Sequence, residues 1–244
     1  MARFKLASPF SYLFCMVNIL IKSYGCSASM NDGEIMAGIL KRAGHRIVSK
    51  PDSAEVIIVN TCIVKGRTES RMRNIIGKLA SEFPKKRLII AGCLPQARLK
   101  LSAKTAAVIG PHNITDIASV VDSVLGNRRK RAVGKKALVK VGLPKIAQNK
   151  AVNIIQILEG CSGACAYCIV KQAKPVLCSF PERAIVEEVR AGLKRGSHEV
   201  WLTSQDNASY NAEKIAGRTR DRRDGERLAE LLQEISKVEG DFFV

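Results

Sequence analysis

The first half of the chain alternates between short apolar runs and segments with apolar residues at helical spacing. Helical spacing falls at residues 30–43, 65–83 and 114–125, and a Gly or Pro closes each segment. The strand patterns lie at residues 17–26, 45–48, 56–59, 88–91 and 107–110. Unbroken apolar runs are typical of parallel strands that are covered on both faces. The alternation predicts a doubly wound parallel α/β sheet with 107–110 as its last strand.

The second half begins another series of strands and helices. Its strand patterns lie at residues 151–158, 199–203 and 242–244, and its helical patterns lie at 181–195 and 226–238. Pro181 suits a first helical position, because the amide hydrogen it lacks would be unpaired there. Residues 211–225 are polar and predict a loop. Two strand–helix units and a third strand predict the beginning of a (β/α) barrel, whose chemistry lies at the carboxyl ends of its strands.

A polar, basic segment at residues 127–150 separates the two halves. Its charge is concentrated in residues 128–131 and in Lys135 and Lys136. Such a run fits a solvated linker as well as it fits a contact with RNA phosphates. We therefore divide the chain into a 1–15 extension that is not part of the fold, a 16–126 N-terminal domain, a 127–150 basic linker and a 151–244 second domain.

The N-terminus resembles a signal peptide at first, because Arg3 and a lysine precede an apolar run at residues 10–21. The run is too short to span a membrane. We favour the strand at residues 17–26, with Met16 as an alternative start of the chain. No membrane partner is expected.

The densest group of cysteines is Cys161, Cys165 and Cys168, spaced C-x3-C-x2-C with Tyr167 directly before the third thiol. Soft thiolate ligands select iron–sulfur chemistry, so three thiolates on one loop suit a [4Fe–4S] cluster. Three ligands leave one of the four irons without a protein ligand, and an open iron is a reaction site. The alternatives are a structural zinc site completed by Cys178, a disulfide framework, or buried structural thiols.

Three further cysteines follow predicted strands of the first half. Cys26 ends the first strand pattern, and Cys62 and Cys93 lie within three residues after the third and fourth. Parallel strands end at the same edge of a sheet, and ligands of open α/β sheets bind beyond that edge. The placement favours a second metal site. The alternative is three separate small residues of the core.

Composition adds a partner and a compartment. The chain has 244 residues, with 40 Lys+Arg against 22 Asp+Glu and a formal net charge of +18. This excess predicts a polyanionic partner, most simply nucleic acid. The alternatives are a solubility device or a generally basic proteome. Oxygen-labile cluster ligands predict a reducing cytoplasm.

The cysteine motifs and their flanking residues resemble one known family. The C-x3-C-x2-C motif with an aromatic before its last cysteine resembles the signature of the radical S-adenosylmethionine (SAM) enzymes. The other segments resemble the N-terminal, flavodoxin-like domain of the methylthiotransferases: Ser23-Tyr24-Gly25-Cys26 with Asn31-Asp32, Asn60-Thr61-Cys62, and Ala91-Gly92-Cys93-Leu94-Pro95-Gln96. The 92–96 box, with Val64-Lys65 and Thr68-Glu69, is most similar to the archaeal and eukaryotic branch. That branch converts N6-threonylcarbamoyladenosine in tRNA to its 2-methylthio derivative.

The resemblance implies a radical SAM enzyme with two [4Fe–4S] clusters and SAM as cofactors, and tRNA and an electron donor as partners. The six implied ligands are Cys26, Cys62, Cys93, Cys161, Cys165 and Cys168. The last three are catalytic, because their cluster would cleave SAM to a radical that takes hydrogen from adenine C2. The cluster of the first three would deliver the methylated sulfur. Tyr167, Ser204 and Gln205 would lie beside SAM.

The chain also departs from this family. Residues 151–244 hold two strand–helix units and the start of a third, whereas a full eight-unit barrel needs about 250 residues. The family's later strands and its C-terminal RNA-binding β-barrel are absent, so a separate chain is one expected partner. Pro175 stands where the family has Gly, and Cys178 is an extra, passive thiol. The alternatives are a truncated, inactive iron–sulfur RNA-binding protein and a ribosomal-protein aspartate methylthiotransferase.

Overall fold

The computed structural model describes residues 16–64, 66–97, 105–211 and 224–244, and its largest element is a six-stranded parallel sheet. The strands run in the spatial order β2-β1-β3-β4-β5-β6, and every neighbouring pair is parallel. The strands are β1 (Asn18–Ser23), β2 (Arg46–Val48), β3 (Val56–Thr61), β4 (Arg87–Gly92), β5 (Ala107–Ile109) and β6 (Lys130–Ala132). The predicted doubly wound α/β sheet is confirmed.

Helices cover both faces of this sheet. They are α1 (Ser27–Arg42), α2 (Gly66–Glu82), α3 (Cys93–Ala97) and α4 (Ile117–Leu125), which a 3₁₀ turn at Pro111–Asp116 precedes. The burial of β3 shows why its apolar run is unbroken. Val56 and Ile58 pack in the core formed with α1 and α4, whereas Ile57 and Val59 pack in the opposite core formed with α2.

Strand β6 corrects the prediction that 107–110 is the last strand and that 127–150 is a linker. Lys130, Arg131 and Ala132 pair in parallel with β5, and of these three residues only Ala132 is buried. An edge strand with one small buried residue has almost no hydrophobic pattern, so this strand could not be recognised among the basic residues of the sequence. Leu138 and Leu143 also pack against the core of the first domain. The 127–150 segment is therefore part of the folded first domain at β6 and again at these two leucines.

The second half forms a parallel strand pair and a short antiparallel strand pair. Strands β7 (Val152–Gln156) and β10 (Glu199–Thr203) are parallel, and β8 (Leu158–Glu159) and β9 (Cys178–Ser179) are antiparallel. The helices are α5 (Val170–Ala173), α6 (Glu182–Lys194) and α7 (Asp224–Ser236), and a 3₁₀ turn spans Asn207–Ser209. Phe243 forms a parallel bridge with Glu199 of β10. The predicted third strand therefore begins where expected.

Small differences from the predictions have local causes. Pro181 occupies the cap position of α6 rather than its first helical position. Helix α1 begins three residues before its predicted start of 30, because small residues at its N-terminus carry no apolar signal. The 1–15 extension and most of the predicted 211–225 loop lie outside the described residues. Within the described ranges, no helix has the length and apolar content needed to cross a membrane.

Candidate functional site

The three cysteines of the first domain meet at the carboxyl edge of the sheet. Cys26 caps the start of α1 after β1, Cys62 follows β3, and Cys93 begins α3 after β4. Strands β1 and β3 are neighbours at the point where the strand order reverses, which is where open α/β sheets bind ligands. At Gly25, whose φ is +113°, a Cβ would lie 2.5 Å from the Cys62 Cβ and 2.8 Å from its Sγ. The backbone before Cys26 therefore lies directly on Cys62.

The Asn60–Thr61 pair holds this edge in place. The Asn60 amide donates a 2.6 Å hydrogen bond to the Ser29 carbonyl in the first turn of α1. The Thr61 hydroxyl donates to the Ala91 carbonyl at 2.6 Å and accepts from the Leu94 amide at 3.2 Å. These bonds tie β3 to the helix starts that carry Cys26 and Cys93, so the motif residues beside Cys62 position the other two cysteines.

The thiol of Cys93 is held protonated by its surroundings. Burial raises the pKa of Cys93 to about 12, and Lys174 opposes this shift while the thiols of Cys62 and Cys26 add to it. Metals bind the thiolate, so ligation at Cys93 has to release this proton.

The cysteines of the two motifs are available as ligands. All seven cysteines in the described part of the chain are free thiols. No three His, Cys, Asp or Glu side chains among the described residues are grouped as they would be around a bound metal ion. The choice between a cluster and a zinc site therefore rests on the spacing of the cysteines, where soft thiolate ligands in threes suit iron–sulfur chemistry.

The second group of cysteines lies on the loop that follows β8. Cys168 donates its amide to the Cys165 carbonyl at 3.0 Å, and the Gly163 amide donates to the Cys161 sulfur at 3.2 Å. Gly160, with a φ of +83°, begins the loop. A Cβ there would lie 2.2 Å from the Val176 carbonyl oxygen, so the start of the loop lies tightly against the chain that leads into β9.

Residues after β10 hold this loop from the other side. The Gln205 side chain accepts a 2.8 Å hydrogen bond from the Gly160 amide. The Ser204 hydroxyl donates to Asn207 at 2.5 Å and accepts from the Asp206 amide at 3.0 Å. Ser204 and Gln205 also line a cavity with the three loop cysteines. Their cofactor contact stays a prediction.

Tyr167 is placed differently from Ser204 and Gln205. Its side chain is 89% exposed, and it is not among the residues that line the cavity. Its predicted role beside SAM also stays a prediction.

One cavity of about 230 Å³ brings the two groups of cysteines together. Its lining includes Cys26 from the first domain and Cys161, Cys165 and Cys168 from the second. The hydroxyls of Ser27 and Thr203, at the start of α1 and the end of β10, lie 2.6 Å apart beside it. The two motifs, separated by about half the sequence, therefore face the same space.

A buried ionic cluster joins the two domains beside this cavity. Lys140 contacts Asp32 at 2.7 Å and Glu159 at 2.8 Å. Lys174, which also lines the cavity, contacts Glu159 at 2.9 Å. His112 lies 3.3 Å from the other Glu159 oxygen. We call these five residues the interdomain ion cluster; Asp32 comes from α1, Lys140 from the connecting segment, and Glu159 and Lys174 from the second domain.

Two groups of the interdomain ion cluster, Glu159 and Lys174, stay charged despite burial. Burial by itself would raise the pKa of Glu159, but Lys140 and Lys174 hold it well below its ordinary value. Burial would lower the pKa of Lys174, but Glu159 and Asp32 raise it. Sequence analysis missed this cluster, and only Asp32 was marked, through its place in the Asn31-Asp32 motif. Buried ion pairs across domains leave no periodic signal.

Comparison with known proteins finds similar sequences over most of this chain. Residues 18–110 match a family described as Uncharacterized protein family UPF0004. The probable threonylcarbamoyladenosine tRNA methylthiotransferase of Methanothermobacter thermautotrophicus is 33% identical over 229 residues, covering 93% of this chain and 51% of that protein. The threonylcarbamoyladenosine tRNA methylthiotransferase of Danio rerio is 36% identical over 203 residues, covering 80% of this chain and 37% of that protein. The chain spans about half the length of its archaeal relatives, and less of the eukaryotic ones.

The fold is similar to that of solved radical SAM enzymes. The radical S-adenosylmethionine methyltransferase TsrM from Kitasatospora setae, solved with tryptophan substrate and a SAM analog, has a TM-score of 0.53 and 12% identity. The match covers 89% of this chain and 50% of that one. At this identity the likeness supports the fold alone, and it extends over both halves of the chain. By its sequence, the chain is similar to archaeal and eukaryotic threonylcarbamoyladenosine tRNA methylthiotransferases, at 33% to 36% identity.

Proposed function

We propose that this chain acts as a radical SAM tRNA methylthiotransferase. The substrate would be N6-threonylcarbamoyladenosine in tRNA, and the product its 2-methylthio derivative. The observation that carries the proposal is the shared cavity, because Cys26 of the first triplet lines the same space as Cys161, Cys165 and Cys168. An enzyme that activates one atom and delivers sulfur to it needs both cysteine groups at one place.

The ligand residues define two [4Fe–4S] sites. Cys161, Cys165 and Cys168 would hold one cluster and leave one iron open for SAM, and Cys26, Cys62 and Cys93 would hold the other. Together with SAM, the bound clusters supply hydrogen abstraction from an unactivated C–H bond and transfer of a methylated sulfur.

The protein's own residues position these two sites. Gln205 fixes the loop of the second triplet through the Gly160 amide, and Asn60 and Thr61 fix the helix starts of the first triplet. Lys174 places a cation in the cavity wall, where it would face the anionic thiolates and sulfides of a bound cluster. The interdomain ion cluster holds the two halves together around that cavity.

The net charge of +18 and the names of the relatives support tRNA as the substrate over a ribosomal-protein aspartate. An electron donor would be required for SAM cleavage. A separate chain that supplies the rest of the barrel and an RNA-binding domain is a further proposed partner. We place the protein in a reducing cytoplasm, which the free thiols of the described residues support.

The direct test is anaerobic cluster reconstitution followed by iron counting and a reductant-dependent assay for 5′-deoxyadenosine. We expect about eight irons in the parent chain and about four in each triple variant, C26A/C62A/C93A and C161A/C165A/C168A. Cys178→Ala is the matched control and should keep about eight. SAM cleavage should be lost only when the second triplet is changed.

Other outcomes separate the alternatives. About eight irons without SAM cleavage would favour an inactive iron–sulfur RNA-binding protein over the enzyme. Little or no bound iron in the parent chain would contradict the proposal, since the six cysteines would then be ordinary thiols.

A further inference from the structure

A second cavity opens directly beside the first cysteine triplet. Its volume is about 550 Å³, and its lining includes Cys26, Cys62, Tyr24 and the first turns of α2. Cys26 and Val64 line both this cavity and the smaller one that holds the second triplet. The larger cavity therefore forms an approach from the surface to the space between the two cysteine groups.

Two arginines define the outer wall of this approach. Arg67 and Arg71 lie four residues apart on α2, which places them on one face of the helix, and both line the cavity. Both are exposed. Thr68, which also lines the cavity, adds a hydroxyl donor between them. This wall presents two guanidinium groups and a hydroxyl towards the opening.

The charge of the two arginines is not neutralised within the helix. Glu69 of α2 pairs with Arg73 at 2.8 Å, and Glu82 pairs with Lys78 at 3.6 Å. Both acidic residues of the helix therefore pair with basic residues other than Arg67 and Arg71. In the described part of the chain, neither the Arg67 nor the Arg71 side chain takes part in a hydrogen bond or ion pair. The positive end of the helix macrodipole adds to their charge.

We propose that Arg67 and Arg71 bind backbone phosphates of the RNA substrate at the mouth of the site. A guanidinium group binds phosphate through two parallel hydrogen bonds, which a solvated lysine does not reproduce. Phosphate contacts fix the register of a nucleic acid without reading its sequence. Two phosphate contacts one helical turn apart, at Arg67 and Arg71, would determine how far the target nucleotide extends past Cys26 into the site. This inference rests on the proposed function and adds to it the surface that positions the tRNA.

The test is anaerobic binding of an unmodified tRNA transcript to the full chain by fluorescence anisotropy, over a series of salt concentrations. R67Q/R71Q removes both charges while keeping side-chain length. R42Q/R46Q is the matched control, because Arg42 ends α1 and Arg46 begins β2, at the opposite edge of the sheet. Both pairs are exposed, so the folded state should survive in each variant.

We expect the dissociation constant to rise about tenfold in R67Q/R71Q and less than about twofold in the control. The slope of log K against log salt should become shallower by about 1.4 when two phosphate contacts to unpaired RNA are lost. R67K/R71K keeps the two charges but not the paired hydrogen bonds, so it should restore the salt slope and recover only part of the affinity. A benzoylphenylalanine crosslinker in place of Thr68 should label the tRNA, and the same probe in place of Arg46 should not.

Two results would overturn the inference, and they differ. If the parent chain binds tRNA but the two glutamine variants lose affinity equally, binding is diffuse attraction to a basic protein, and the α2 surface has no special role. If the parent chain shows no salt-dependent binding of tRNA, the RNA substrate itself is wrong, and the proposed function fails with the inference.

Discussion

At the residue scale, the most constrained group is the interdomain ion cluster. Lys140 is completely buried and contacts carboxylates from both domains. A buried ion pair adds little net stability compared with an apolar replacement of both residues. Removing only one partner is strongly destabilising, because it leaves the other charge buried without a counterion. Neither Lys140 nor Glu159 was identified from the sequence, because charged residues are read as surface positions unless a motif marks them. Their burial follows only from how the domains meet.

Lys140→Met should therefore destabilise the fold strongly. We expect the free energy of unfolding of the metal-free chain to fall by about 3 kcal/mol, because Asp32 and Glu159 lose their shared cation. Urea denaturation followed by circular dichroism measures this. Lys150→Met is the control, since Lys150 is exposed in the same segment, and it should change stability by less than about 0.5 kcal/mol. Equal effects would show that the ion cluster carries no stability.

Glu159 should also make stability depend on pH in the acid range. Its folded pKa lies well below the ordinary value of 4.5, so its contribution is complete above pH 4.5 and is lost as the pH falls through the folded pKa. The free energy of unfolding should decrease in that range, and the decrease should be smaller in Glu159→Gln. If the free energy of unfolding depends on pH equally in the parent and in Glu159→Gln, the lowered pKa assigned to Glu159 is wrong.

At the element scale, the strand ends determine where the chemistry lies. Strands with unbroken apolar runs, such as β3 and β4, were predicted closely because burial on both faces leaves a clear pattern. Their shared carboxyl edge then predicted that Cys26, Cys62 and Cys93 would meet. Strand β6 was missed because it has one small buried residue, and α5 and β9 were missed because they are too short to show a period.

Substitution of Gly92 tests how closely the chain is packed where β4 leads into α3. Its φ is +89°, and an added Cβ would lie 2.5 Å from the Asn60 side-chain oxygen and 2.5 Å from the Thr61 carbonyl. Gly44 has the same φ of +89° with nothing within 4 Å, so Gly44→Ala isolates the backbone strain. We expect Gly44→Ala to cost about 1 kcal/mol and Gly92→Ala to cost clearly more, as measured by urea denaturation.

Reconstitution provides a second measure of the same corner. Gly92→Ala should bind less iron than Gly44→Ala, because Cys93 follows Gly92 directly. If the two variants unfold at the same denaturant concentration and bind equal iron, the corner does not position Cys93.

At the scale of the whole molecule, the segment between the domains acts as a buried connection. Besides Lys140, it contributes Lys145, which pairs with Glu188 of α6 at 2.9 Å and donates to the Ile154 carbonyl at 2.8 Å. The Gln148 amide donates to Glu34 of α1 at 2.9 Å. From composition, a solvated linker and a contact with RNA phosphates were equally open here, because basic residues dominate the segment. Its tertiary contacts fix the two domains around the shared cavity, which neither domain could form alone.

The most direct test of this account is electron paramagnetic resonance of the reduced, reconstituted chain. If the two cysteine triplets hold clusters that face one cavity, their unpaired spins interact, and the parent spectrum should differ from the sum of the spectra of C26A/C62A/C93A and C161A/C165A/C168A. A parent spectrum equal to that sum would show that the two clusters lie too far apart to interact. If changing one cysteine triplet leaves the spectrum unaltered, that triplet does not bind a cluster.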